Sequence, residues 1–389
     1  MTSDRLTAEE LGQLVRRVFE PGTDDRSLAI LVDLPDDRVE DNSAWRARRR
    51  IAVGWYEELC AAGGDLGIEP SLFVYRNVHS NNADLPATAW RWSGGEPPNN
   101  VLEIEDRSTE TMDEVLKSHQ LVLAPTEFST TAPLKMLAPR HGFRAATMPG
   151  FSADMVPALR LDYTEVNRRV HFFKDLLDQS TGADFHFSVS DGGDYRLHLD
   201  LRHRSAHASG GLLPKPGSAG NLPSGEAYIV PYEGEIEGDA TASRGRLPVQ
   251  FGGEVVVFEI EENRAVKIVS SGPESRAEAE RLAAEPARGN VAELGLGVLA
   301  DFGLHPIGVV LLDEKLGLHI AFGRSEHFGG QVGPAQFSSP EQVMHQDHVY
   351  LEELQPKVRV VSAELTMGDG SIRTLMEDGR YAIDFSSIG

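Results

Sequence analysis

The sequence predicts an α/β protein: an N-terminal parallel-sheet α/β domain over residues 1–182, then a β-rich C-terminal domain over residues 183–389. Three observations lead there. Short apolar runs alternate with helix-like segments in the first half, the texture of a parallel sheet covered by helices. Beyond Gly182 strand-like alternation takes over, as in DFHFSVS, YRLHLDLRH and GEVVVFEI. The length of 389 residues also exceeds the roughly 250–300 at which one core stops growing.

In chain order, MTSDRLTAEELGQLVRRVF reads as a capped helix from about Ala8 to Phe19. The apolar run Leu28–Leu34 is a buried-strand pattern. NSAWRARRRIAVGWYEELCAAGG follows as a helix, with Asn42 or Ser43 as N-cap and Gly63 and Gly64 as its stop. Its Arg46–Arg50 cluster reads as a salt-bridged solvated face. Ser71–Tyr75 is a short strand, and the polar stretch from Val78 to Asn100 reads as a surface excursion, with Trp90 and Trp92 packed in an exposed loop. Leu121–Ala124 and Phe143–Thr147 are strands flanking the helix TTAPLKMLAPRHG. No Gly-rich phosphate fingerprint follows the first strand, which argues against a dinucleotide site. An amphipathic helix at Tyr163–Asp178 closes this half. The second half is interrupted by one helix, Glu274–Ala284, and ends in strands joined by Asp-Gly turns.

Composition narrows the function. A formal net charge of −23 argues against nucleic acid, whose phosphates require a basic face. No apolar run approaches the ~18–20 residues needed to span a bilayer, so no membrane partner is expected. The single Cys60 and the lack of a signal-like N-terminus point to a reducing cytoplasm. No G-x-S-x-G elbow is present to carry serine hydrolysis.

Chemistry concentrates in the second half. His345 and Asp347 lie two apart and so share one face of an extended strand. His319 stands in GLHIAFG, Glu293 in VAELGLG and Glu226 in PSGEAYIVP. A carboxylate or imidazole within an apolar strand is costly to bury unless it is paired or bound to a metal. Singly, each has a plainer account: Glu226 as a turn carboxylate, Glu293 as a paired buried acid, His319 as a hydrogen-bonded core histidine. His203 and His207 have a metal-like spacing, but in a short, basic, polar segment. His348 points to the face opposite His345.

Together, ASGGLLPKPGSAGNLPSGEAYIVPYEG, VAELGLG, KLGLHIAFG followed by FGG, and HQD resemble the M29-type metalloaminopeptidases, the leucyl aminopeptidase, aminopeptidase T and aminopeptidase S group. The resemblance covers the chain from about Ala183 onward. It implies two divalent ions (Zn, Co or Mn) held by Glu226, Glu293, His319, His345 and Asp347, in a cytoplasmic homodimer acting on a peptide or small amide substrate. Two ions roughly 3.5–4 Å apart share and activate a water, and a glutamate acts as general base, here assigned to Glu293. The family places a tyrosine a few positions after the first histidine. This chain has GRSEHFGG there, so His327 is the candidate to replace it, with a plain loop residue as the alternative. That departure keeps two other activities open. One is a non-peptidase amide hydrolase. The other is an iron-dependent ring-cleaving dioxygenase of the dihydroxypyridine type, whose metal is held by two histidines and one carboxylate.

Overall fold

The computed structural model describes residues 5–61 and 67–387. The helix stop expected at Gly63 and Gly64 lies outside the described residues. Two compact units are present: Met1–Asn167 with Ser209–Ser224, and Arg168–Ala208 with Gly225–Gly389.

The first unit opens with α1 (Ala8–Phe19). Thr7 caps it reciprocally: its hydroxyl accepts from the Glu10 amide (3.3 Å) and its own amide donates to the Glu10 carboxylate (2.9 Å). There follow β1 (Ser27–Leu34), α2 (Ser43–Ala61), β2 (Glu69–Arg76), β3 (Thr88–Trp92), β4 (Glu110–Thr111), α3 (Met112–Ser118), β5 (Leu121–Ala124), α4 (Thr131–His141), β6 (Arg144–Thr147), the short α5 (Val156–Leu159) and α6 (Tyr163–Asp178), which belongs to the second unit from Arg168 on. β1 lies between β2 and β5, parallel to both, and β6 continues the parallel set. Every β1 residue after Ser27 is buried, which is why that strand reads as an unbroken apolar run rather than an alternating one.

Asp33 at the end of β1 is fully buried and organises the turn after β5. Its carboxylate accepts from the amides of Glu127 (2.8 Å) and Phe128 (3.0 Å) and from the Trp45 indole (3.0 Å). Burial raises its pKa to about 6 despite these donors.

Two expectations change here. Within Val78–Asn100 a strand forms, β3, which pairs antiparallel with β2 opposite Leu72–Val74, and Trp90 is buried in it. Of the four arginines at the start of α2 only Arg46 and Arg50 face solvent. Arg49 is wholly buried against Asp41, and Arg48 pairs with Glu127 and donates to the Phe151 carbonyl (2.8 Å). A helix in contact with a sheet buries part of its circumference whatever its charge, and the arginines landing there bring their own acceptors.

The second unit is β-rich. It contains β7 (Ser180–Val189), β8 (Asp194–Asp200) and β9 (His207–Ser209); after these β10 (Ala219–Asn221) pairs in parallel with β6 and so returns Ser209–Ser224 to the first unit. The division therefore falls within α6 rather than at residue 182. The chain continues through β11 (Glu226–Ile229), β12 (Arg244–Phe251), β13 (Glu254–Glu261), β14 (Arg264–Ile268), α7 (Pro273–Ala284), β15 (Val291–Gly297), α8 (Val310–Asp313), β16 (Leu318–Gly323), β17 (His345–Val349), β18 (Val358–Met367), β19 (Ile372–Glu377) and β20 (Arg380–Tyr381). Eight strands form an antiparallel sheet in the order β14-β13-β12-β8-β7-β18-β19-β20, and five form a second in the order β17-β16-β15-β11-β9. The β19–β20 turn is Asp378-Gly379, both with positive φ (50° and 78°), as a tight hairpin requires. Among the described residues no helix is long and apolar enough to cross a membrane.

Asp33→Ala strands the Glu127 and Phe128 amides inside the first unit, while the Trp45 indole keeps the Asp33 carbonyl as acceptor (3.0 Å). We expect a loss on the order of 3 kcal/mol in urea unfolding; a loss below about 1 kcal/mol is inconsistent with this role.

Candidate metal centre

The five-stranded sheet sorts its side chains by strand parity. One face carries Leu294, Leu296, Leu318 and Ile320, all buried and apolar. The other carries Glu226 and Tyr228 of β11, Glu293 of β15, His319 of β16, and His345 and Asp347 of β17. Cross-strand register sets a small residue against each ligand candidate. Glu226 pairs with Gly297 and His319 with Gly295. Ala321 stands between Glu293 and Asp347, and Gly323 opposite His345. The glycines are needed for space: a Cβ on Gly295 would fall inside the His319 imidazole.

All five metal-ligand candidates thus meet, in two overlapping groups. Glu226, Glu293 and His319 offer ligand atoms within 4.8 Å of one another, and so do Glu293, His345 and Asp347. Glu293 belongs to both: its Oε1 lies 3.4 Å from His319 Nε2 and its Oε2 3.2 Å from His345 Nε2. His345 Nε2 is 3.5 Å from Asp347, and His319 Nε2 is 3.4 Å from Glu226 Oε2.

Both imidazoles are oriented from behind. His319 Nδ1 donates to the Gly317 carbonyl (3.1 Å) and His345 Nδ1 to the Arg324 carbonyl (2.8 Å). That arrangement commits Nδ1 as the proton carrier and turns Nε2 toward the carboxylates, as metal-binding histidines require. Two buried carboxylate oxygens, Glu226 Oε2 and Asp347 Oδ1, have no hydrogen-bond donor. Buried unpaired oxygens facing imidazole nitrogens within a few ångströms fit divalent cations, and the N/O donor set suits Zn, Mn, Co or Fe.

Without a metal the same groups neutralise one another. Burial opposes the charged form of His319, but the hydrogen bond with Glu293 and the charges of Glu226, Glu293 and Asp347 outweigh it and raise the pKa to about 9. His345 is driven up in the same way, chiefly by Asp347. Glu293 is held down at about 2, burial being overcome by its two histidines.

The remaining candidates fall outside the cluster. His327 lies in the loop after β16, its ring 5.6 Å from that of His345 and 3.8 Å from that of Phe328. Partial desolvation and the neighbouring His345 and Arg324 lower its pKa, so it is neutral, although the residue is exposed. His203 pairs with Asp239 (2.8 Å), while His207 donates to the Phe328 carbonyl (2.9 Å) and stacks on Tyr228 (5.2 Å). His348 is buried on the apolar face against Phe251 and Phe322.

Three participants escape sequence reading. Lys315 is buried and pairs with both Glu226 and Glu314; the charged triplet Asp313-Glu314-Lys315, directly before an apolar strand, was the available signal. Tyr228 follows Glu226 by two and so shares its face. Glu233 accepts from Ser325 Oγ (2.6 Å), Asn290 Nδ2 (2.7 Å) and the Gln331 amide, which pins the loop that carries His327.

Solved structures share this fold. The 2,5-dihydroxypyridine dioxygenase of Pseudomonas putida KT2440 matches with TM-score 0.61 at 16% identity, over 99% of this chain and 100% of that one. AmpT of Thermus thermophilus matches with TM-score 0.55 at 15% identity, over 97% of this chain and 99% of that one. No protein-family model matches the sequence, and no curated protein does. At these identities the likeness is one of fold.

The metal-free chain has a defined pH window. Glu293, lowered from 4.5 to about 2, contributes stability that is complete above pH 4.5 and lost as pH falls through 2. His319, raised from 6.5 to about 9, contributes stability complete below pH 6.5 and lost as pH rises through 9. Chelator-treated protein should therefore melt highest between these limits, while the rise in melting temperature on adding manganese should grow from pH 6 to pH 9 as the Nε2 protons leave. A manganese effect independent of pH contradicts the assignment. Gly295→Ala should displace His319, cost on the order of 1–3 kcal/mol and reduce bound metal; unchanged metal content in elemental analysis counts against the packing argument.

Proposed function

We propose that this chain is a metal-dependent hydrolase that releases the N-terminal residue of a peptide or small amide. The observation that carries the reading is the sharing of Glu293 between two ligand groups. A carboxylate whose two oxygens face different imidazoles is suited to bridge a pair of cations, whereas a single ion needs only one group. The fold likeness to the aminopeptidase AmpT supports it.

Bound divalent ions would supply Lewis acidity and a water that ionises near neutral pH. Glu226 and His319 would hold one ion, His345 and Asp347 the other, and Glu293 both. Glu293 is also the candidate general base, a role it would fill through an oxygen not engaged on an ion, taking a proton from the attacking water and returning it to the leaving amine. The neutral His327 at the rim has an N–H to offer the developing oxyanion. The ring of Phe328, 4.8 Å from Tyr228 and 5.5 Å from His345, would screen that side from water.

A second reading draws on the dioxygenase that shares the fold. His319, His345 and Asp347 make up the two-histidine, one-carboxylate set of mononuclear iron oxygenases. Among the described residues these three do not form a ligand group of their own; each group runs through Glu293.

Elemental analysis together with amino-acid release from a peptide panel tests the proposal. About two divalent ions per chain are expected, with chelator-sensitive cleavage that Glu293→Gln lowers by about 10²–10⁴-fold. One iron per chain, no cleavage, and oxygen uptake with a dihydroxypyridine would establish the second reading instead.

A further inference from the structure

Lys315 is the cation already resident beside the candidate centre. Its side chain is 1% exposed and its ammonium contacts Glu226 Oε1 and a Glu314 oxygen. A buried ammonium needs such partners to offset desolvation. The backbone is shaped to deliver it. Gly297, the cross-strand partner of Glu226, has no side chain, and a Cβ there would collide with the Lys315 carbonyl group. The Gly297 amide also donates to the Gly317 carbonyl (3.0 Å), fixing the segment between Lys315 and β16 against β15.

The two oxygens of Glu226 are consequently different. Oε1 is taken by Lys315. Oε2 is buried, has no hydrogen-bond donor, and lies 3.4 Å from His319 Nε2.

We propose that Lys315 is a positioning residue of the metal centre: by holding Oε1 it makes Glu226 a one-oxygen ligand, with Oε2 presented to the ion shared with His319 and Glu293. This rests on the two-metal reading and deepens it. The second ion position then depends on Lys315, while the position at Glu293, His345 and Asp347 does not.

The test is metal stoichiometry and affinity on purified protein, read by elemental analysis and by manganese titration calorimetry, independent of turnover. Wild type should bind two ions per chain. Lys315→Met, neutral and of similar length, should keep one ion at wild-type affinity and bind the second at least tenfold more weakly. Lys315→Arg, which retains the charge, should recover part of that loss. The retained first ion shows that the variant is folded. Two ions at unchanged or higher affinity in Lys315→Met would overturn the proposal, the higher affinity meaning that the ammonium competes with a metal. One ion in wild type would instead sink the two-metal reading and the proposal with it. A crystal structure of manganese-loaded wild type checks the same point without a variant. Glu226 bound through Oε2 with Oε1 on Lys315 is expected, and chelation through both oxygens would refute it.

Discussion

Several charges of both signs share one face of one sheet, out of water, and each must be neutralised by a neighbour. Glu226, Glu293 and Asp347 are buried carboxylates that would repel one another at these separations; His319, His345 and Lys315 supply the compensating charge. In a medium of low effective dielectric such a set is stable only when its members are held at hydrogen-bond distance. The rest of the second unit is built to hold them there. Antiparallel register places each group, backbone carbonyls of Gly317 and Arg324 turn the imidazoles, and the opposite face anchors the sheet in an apolar core.

The register also explains a feature that is otherwise odd for a buried strand, its glycines. β15 reads Val-Ala-Glu-Leu-Gly-Leu-Gly, with leucines on the apolar face and a carboxylate and two glycines on the other. Glycine in a strand interior costs conformational entropy and packing. Here the missing side chains make the volume into which His319 and Lys315 enter. At Gly323, opposite His345, the space is taken instead by Met344, whose carbonyl and sulfur a Cβ there would meet.

The loop after β16 is tied as firmly as the strands. Glu233, from the segment after β11, receives Ser325, Asn290 and Gln331, and Arg204 lies 3.5 Å from it. This brings Phe328 onto Tyr228 and places His327 near His345. Phe328, Tyr228 and the neutral His327 thus line one side of the ligand groups.

The amino-acid sequence by itself determined the local features. It determined the capped first helix, the buried parallel strands, the change of texture beyond Gly182, and the shared face of His345 and Asp347, because caps and strand parity depend only on near neighbours along the chain. It also supplied the five ligand candidates that the structure brings together, since a charged residue in an apolar strand is conspicuous whatever it meets. The tertiary structure alone decided what each group meets. That Lys315 lies on Glu226, 89 positions away, that Arg48 pairs with Glu127, 79 positions away, that Trp90 belongs to a strand, that β10 returns to β6, and that His327 stays at the rim are results of register and packing between distant segments. Their energies come from desolvation and Coulomb contact, which act through space and leave no period in the sequence to read.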